Sequence, residues 1–275
     1  MKLSVAVAAE NAMPSAFVVW RGFEESARKA SELGYDGIEL ALKTADEIDP
    51  DKLAGLLDKY KLEVSCISTG QVFAALGLYF THRDPEVRKR VVEVFTGLIK
   101  LAKDFGRIIN VGRTRGFIAE GQRREEAEGL FLDMAERLCE VADPMGVTII
   151  IEPVNRYEIN FVNSLDEGRE LLQKLKFGNL GLMPDVFHMN IEDDMIGKSL
   201  IRNAPWVKYI HFADSNRLAP GQGHIDFDEV FEALKKAGFD GWASIEILPK
   251  PDPDTAAKQA AEFILPRIKA YNNSK

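Results

Sequence analysis

The chain has 275 residues, room for one large domain or two small ones, and its 46% hydrophobic and 28% charged composition is that of an ordinary folded protein rather than an extended disordered one. Its 35 basic and 43 acidic residues leave a formal charge of -8, and the longest basic run is Arg88-Lys89-Arg90, so no groove for nucleic acid is expected. Cys66 and Cys139 are the only cysteines, which excludes a disulfide framework and a thiolate metal site.

In chain order, Met1 to Ala9 has the faint outline of a signal peptide, but the apolar run is short and weak, and a first strand explains it better. No stretch approaches the ~20 apolar residues of a membrane helix. The expectation is a cytoplasmic protein with no membrane partner. Strand-like segments begin near Leu3, Gly37, Glu63, Arg107, Thr148, Leu180, Val207 and Trp242. Gly34, Gly106, Gly146, Gly178 and Gly238 each follow a helix-like segment and precede a strand-like one, where a left-handed C-cap favours glycine. The clearest helical repeat follows Asp84-Pro85, with Val87, Val91, Val94, Phe95, Leu98 and Leu101 mostly three or four residues apart. Similar patterns cover Arg124 to Val141, Phe227 to Ala237 and, beyond the break at Pro251 to Pro253, Thr255 to Tyr271. Strand-plus-helix units of about 34 residues, repeated eight times, use the whole chain. The fold class expected is α/β, a single-domain (β/α)8 TIM barrel over residues 1–275, with a doubly wound open sheet as the alternative.

The charge pattern at the strand ends carries the functional signal. Ile149-Ile150-Ile151 fits a strand covered on both faces, and Pro153 denies the ladder its next donor, which leaves Glu152 at the carboxyl end. Leu180 to Pro184 runs into Asp185, with His188 three residues on. Val207 to Ile210 runs into His211, with Asp214 and Arg217 beyond, and Trp242 to Ile245 runs into Glu246. Ligands bind at that rim in parallel barrels, and two glutamates, an aspartate and one imidazole there make an oxygen-rich site for one divalent metal. Any one of them alone reads equally well as part of a network closing a loop; the quartet is the specific feature. The segments Gly70 to Arg83, Gly112 to Arg123 and Asp214 to Ile225 are candidate active-site loops on the same rim. Gly221-Gln222-Gly223-His224 lacks the lysine and helix start of a phosphate loop, so His224 and Asp214 read as groups that hold their loop together.

These residues resemble the ketose 3-epimerase branch of the xylose-isomerase-like barrels, relatives of D-tagatose 3-epimerase. The resemblance spans nearly the whole chain and rests on the segments Ile151 to Glu158, Asp185 to Asn190, His211 to Arg217, Gly221 to Phe227 and Ser244 to Glu246. It implies an eight-stranded barrel, one divalent ion per subunit (Mn2+, Co2+ or Mg2+) held by Glu152, Asp185, His211 and Glu246, and substrate contacts from Glu158, His188 and Arg217. It also implies assembly as a homodimer or homotetramer. Glu152 and Glu246 would then be the catalytic pair as well, one removing a proton beside the ketone and the other returning one to the opposite face of the enediolate. Whether His188 touches substrate or orients a neighbour stays open at this point.

One departure concerns the substrate. Members acting on free ketohexoses usually present an aromatic residue just after the fourth strand, whereas this chain reads Gly112-Arg113-Thr114-Arg115-Gly116. Arg113 and Arg115 are expected either to meet an anionic substrate or to serve surface solubility. The resemblance is closest to members that epimerise 5-keto-L-gluconate to D-tagaturonate, with ketoses of the D-tagatose and D-fructose type and ketose phosphates as the other candidates. An aldose-ketose isomerase shares such a metal site, but two glutamates flanking one carbon favour proton transfer there. An abasic-site endonuclease of this fold would need more than the four histidines present, and a non-catalytic sugar-binding protein would need no pair of bases.

Overall fold

A computed structural model describes residues 1–13 and 17–274. Its strands are β1 (Lys2–Ala8), β2 (Trp20–Arg21), β3 (Gly37–Ala41), β4 (Glu63–Ser68), β5 (Ile108–Val111), β6 (Thr148–Ile151), β7 (Leu180–Leu182), β8 (Tyr209–Phe212) and β9 (Trp242–Ile245). They pair in the order β7-β6-β5-β4-β3-β1-β9-β8, with the short β2, which sequence patterning does not reveal, attached to β1. Every pairing is parallel. The open ends meet through the single bridges Leu182–Val207 and Asp185–His211, where the N–H groups of Lys208 and His211 donate to the carbonyls of Leu182 and Pro184 at 3.0 and 2.8 Å. The expected TIM barrel is therefore the observed one. Val207 contributes only a bridge and the regular strand starts at Tyr209, while Arg107 has left-handed φ (59°) and β5 starts one residue later.

The helices are α1 (Phe23–Glu32), α2 (Pro50–Tyr60), α3 (Gly70–Leu76), α4 (Pro85–Asp104), α5 (Arg124–Ala142), α6 (Leu165–Leu172), α7 (Val186–Glu192), α8 (Ile196–Arg202), α9 (Phe227–Lys236) and α10 (Pro253–Asn273). The two longest start for a legible reason: Asp84 accepts the Glu86 N–H at 2.9 Å ahead of Pro85, and Asp252 accepts the Thr255 N–H at 2.9 Å ahead of Pro253. Gly34, Gly106, Gly146 and Gly238 have φ of 82, 81, 65 and 65°, the left-handed caps expected of them. Gly178 has no such φ, because α6 already stops at Leu172 and the glycine lies in the loop beyond. The segment Gly70 to Arg83 opens with α3 rather than running as a bare loop. Among the described residues no helix is long and apolar enough to cross a membrane.

Strand alternation sorts the side chains into two environments. Ile149 and Ile151 join the main core between sheet and helices, whereas Ile150 packs inside the barrel with Cys66, Met183 and Tyr209. The next inward position after Ile150 is Glu152, and the same alternation puts His211 above Tyr209 and Glu246 above Ser244. A strand that buries apolar residues on both faces thus delivers its first charged or imidazole side chain into the barrel mouth.

The loops on that mouth are tied together by Arg115. Its side chain is fully buried, and its three donor nitrogens bond the backbone carbonyls of Gly112, Phe161 and Val162, each at 2.8 Å. This corrects the expectation that Arg115 meets a substrate or the solvent: it stitches the turn after β5 to the loop after β6. Arg115→Ala should strand those carbonyls in a buried site and lower stability by on the order of 3 kcal/mol. Denaturant unfolding checks this, and a loss below about 0.5 kcal/mol, as for an ordinary surface residue, would contradict it.

Candidate active site

Glu152, Asp185, His211 and Glu246 come from the ends of β6, β7, β8 and β9, and each offers a ligand atom within 4.8 Å of the others. Glu152, Asp185 and His211 are buried, and Glu246 keeps 18% of its side chain exposed. His211 stands at the centre. Its Nδ1 is 3.3 Å from Glu152, 3.5 Å from Glu246 and 3.9 Å from Asp185. Its Nε2 faces away, 3.0 and 3.1 Å from the two oxygens of Glu39. Arg217 completes the cluster, with Nη1 on Asp185 and Nη2 on Glu246. Its guanidinium lies between the rings of Phe17 and Phe187, 4.9 and 4.8 Å from their centroids, a stacked position that suits a planar cation.

The electrostatics of this cluster fit a metal site. Four carboxylates, Glu39, Glu152, Asp185 and Glu246, share one guanidinium and one imidazole, and a buried surplus of one sign is costly unless a cation compensates it. An imidazole and three carboxylates are hard, oxygen-rich donors for one divalent ion. Burial pushes Glu246 up to about 8 and outweighs the pull of His211 and Arg217. Burial also raises Asp185. Glu152 is held below the usual carboxylate value, because its hydrogen bond to His211 and the charges of His211 and Arg217 overcome the cost of burial. Glu39 is held at about 2, its burial outweighed chiefly by His211.

Above the quartet the rim opens into a pocket whose lining includes Glu152, Glu246, Arg217, His188, Glu158 and Arg113. The Asn155 amide donates to His188 Nδ1 at 2.8 Å and to Glu158 at 3.1 Å, so His188 carries its proton on Nε2. Burial and the charges of Arg217 and Arg115 keep His188 neutral, well below its ordinary pKa. Arg113 lies over Phe73, 5.7 Å from the ring centroid, and among the described residues has no carboxylate within ion-pair distance. Of the predicted contact residues only Arg115 is outside the pocket lining.

Asp214 and His224 hold their loop, as their sequence context indicates. Asp214 accepts the N–H groups of Ser215, Gly221 and Ile225 at 2.7, 2.7 and 3.1 Å. A Cβ at Gly223 would stand 2.2 Å from the Asp214 carboxylate, so this position admits only glycine. His224 Nδ1 meets Ser215 Oγ at 2.8 Å. Sequence reading missed Glu39, Asn110 and Asn155. Asn110 lines the pocket with an Oδ1 that has no partner among the described residues, and its signal was a polar residue at an inward position of β5.

Comparison with known proteins agrees with this geometry. The family model for the xylose isomerase-like TIM barrel matches residues 27–267. An L-ribulose 3-epimerase of Methylomonas sp. (strain DH-1) is 30% identical, over 91% of this chain and 95% of its own. A ketose 3-epimerase of Arthrobacter globiformis is 29% identical, over 80% and 75% respectively. The crystal structure of a D-allulose 3-epimerase from Methylomonas sp. in complex with D-allulose is 26% identical, covers 97% of each chain and superposes with a TM-score of 0.81. With the metal-type quartet and the barrel in place, the chain belongs to the xylose isomerase-like TIM barrel family, among relatives that are sugar epimerases of the isomerase class.

Proposed function

We propose that the protein inverts the carbon beside the ketone of a ketose or keto-uronate by removing and returning a proton. The observation that carries this is the convergence of Glu152 and Glu246, from different strands, on one pocket above His211. A divalent ion, Mn2+, Co2+ or Mg2+, would be held by Glu152, Asp185, His211 and Glu246 and would supply the Lewis acidity that makes a carbon-bound proton labile. The chain does the rest. One glutamate accepts the proton from the substrate carbon, and the other protonates the opposite face of the enediolate. The His188 Nε2–H and the Arg217 guanidinium, both on the pocket lining, are donors for the carbonyl oxygen, where negative charge develops. Glu158 on the pocket lining is an acceptor for sugar hydroxyls.

Two tests bear on this chemistry. In deuterated water the product should carry solvent deuterium at the inverted carbon, because two acids on opposite faces need not return the proton that was removed; complete retention of the substrate hydrogen contradicts it. Glu152→Gln and Glu246→Gln, nearly isosteric, should each lower kcat by roughly 10²- to 10⁴-fold in a folded protein.

The substrate class we propose is a ketose bearing a carboxylate, with 5-keto-L-gluconate the leading candidate and Arg113 its partner. Arg113 is the cation on the pocket wall with no carboxylate of its own, and its position over Phe73 leaves the guanidinium edge free for an anion. Arg113→Ala should cost about ten- to a hundredfold in kcat/KM on a keto-uronate and little on a neutral ketose. Wild-type behaviour of the variant on keto-uronates, neutral ketoses and ketose phosphates alike would remove the anionic-substrate reading.

A further inference from the structure

Glu39 is the least expected charge in the molecule. It sits in the middle of β3, a strand whose five residues are all buried, and is itself fully buried. A carboxylate so placed is expensive unless each oxygen is satisfied. Here both are. Ser68 Oγ donates to Oε1, the Tyr209 hydroxyl donates to Oε2 at 2.8 Å, and both oxygens face His211 Nε2. The Tyr209 hydroxyl is itself fixed, 2.7 Å from Ser65 Oγ and 3.1 Å from Ser4 Oγ. This network crosses the barrel interior from β1 and β4 to β8, and it ends on the one imidazole of the quartet.

The two ring nitrogens of His211 therefore meet different surroundings. Nδ1 points at Glu152, Glu246 and Asp185, and Nε2 points at Glu39 alone. As a ligand through Nδ1 the imidazole is neutral and carries one proton, and a carboxylate, which can only accept, holds that proton on the nitrogen it faces. We propose that Glu39 is a positioning residue for the metal: it keeps the His211 proton on Nε2, locks the ring plane and leaves the Nδ1 lone pair for the ion. Without it, the three carboxylates around Nδ1 would draw the proton to that side, and His211 would be a hydrogen-bond donor to the quartet instead of a member of it. Tyr209 and Ser68 support the same function one bond further out.

This inference rests on the reading of the quartet as a metal site, and the test separates the two. The full-length protein is stripped with a chelator and titrated calorimetrically with Mn2+, and with Co2+ while its visible absorption is recorded. Wild type should bind one ion. Glu39→Gln should bind it about ten- to a hundredfold more weakly and change the Co2+ spectrum. Tyr209→Phe, which leaves the carboxylate in place with one donor fewer, should shift affinity in the same direction by a smaller factor. Metal-free Glu39→Gln should melt at or above the wild-type temperature, since a surplus buried charge has been removed. A Glu39 that merely braces β3 against β8 gives the opposite pattern, lower melting with unchanged affinity, and that result overturns the proposal. If Glu39→Gln does not fold, an unchanged Mn2+ affinity in Tyr209→Phe overturns it instead. A wild type that binds no ion at all refutes the metal site itself.

Discussion

The structure turns on a surplus of negative charge buried at the carboxyl end of a parallel barrel. Glu39, Glu152, Asp185 and Glu246 are gathered around one imidazole and one guanidinium, where hydration cannot spread their charge. Much of the surrounding architecture follows from keeping that arrangement. Arg217 takes left-handed φ (63°), a conformation that costs a residue with a Cβ, and its ring-stacked guanidinium reaches two of the acids from there. The loop carrying it is wound on the buried Asp214, whose carboxylate collects three backbone N–H groups. A divalent ion is the natural completion of such a cluster, because it neutralises two charges without asking for another buried side chain.

Stability and function are drawn from different faces of the same strands. Outward positions such as Ile149, Ile151, Ile210 and Ile245 pack on the helices and form the large core. Inward positions are divided by height. Cys66, Ile150, Met183 and Tyr209 fill the middle of the barrel, and polar groups occupy the mouth. Among them the Tyr209 hydroxyl, fixed by Ser65 and Ser4, joins Ser68 in satisfying Glu39 beneath the cluster. Arg115 shows the same economy in the loops, holding three carbonyls at the rim while its neighbour Arg113 faces the pocket.

How much of this could be read from sequence depended on whether a residue's context was local. Glu152, Asp185, His211 and Glu246 stood out because each interrupts an apolar run at its end, and strand alternation then fixes the direction in which it points. Glu39 interrupts a run as well, but in its middle and with no motif around it, and its meaning lies in His211, 172 residues away. Arg113 and Arg115 are indistinguishable in sequence, and only the turn between them decides that one meets carbonyls and the other a cavity. Gly178 had the neighbours of a helix cap, yet α6 ended early and left it in a loop. The closure of the barrel was legible only as a count of strands, since β7 and β8 meet by single bridges rather than by a ladder.

Compensation of the buried charge by one ion is the constraint on which the site depends. The decisive measurement is thermal unfolding of the chelated protein with increasing Mn2+, paired with a count of bound metal after desalting. A single bound ion and a stabilisation that grows with the logarithm of its concentration, about 2.7 kcal/mol at a hundredfold excess over Kd, is the result expected. A melting temperature indifferent to Mn2+, Co2+ and Mg2+, with no metal retained, would mean that Arg217 and His211 alone balance the four carboxylates.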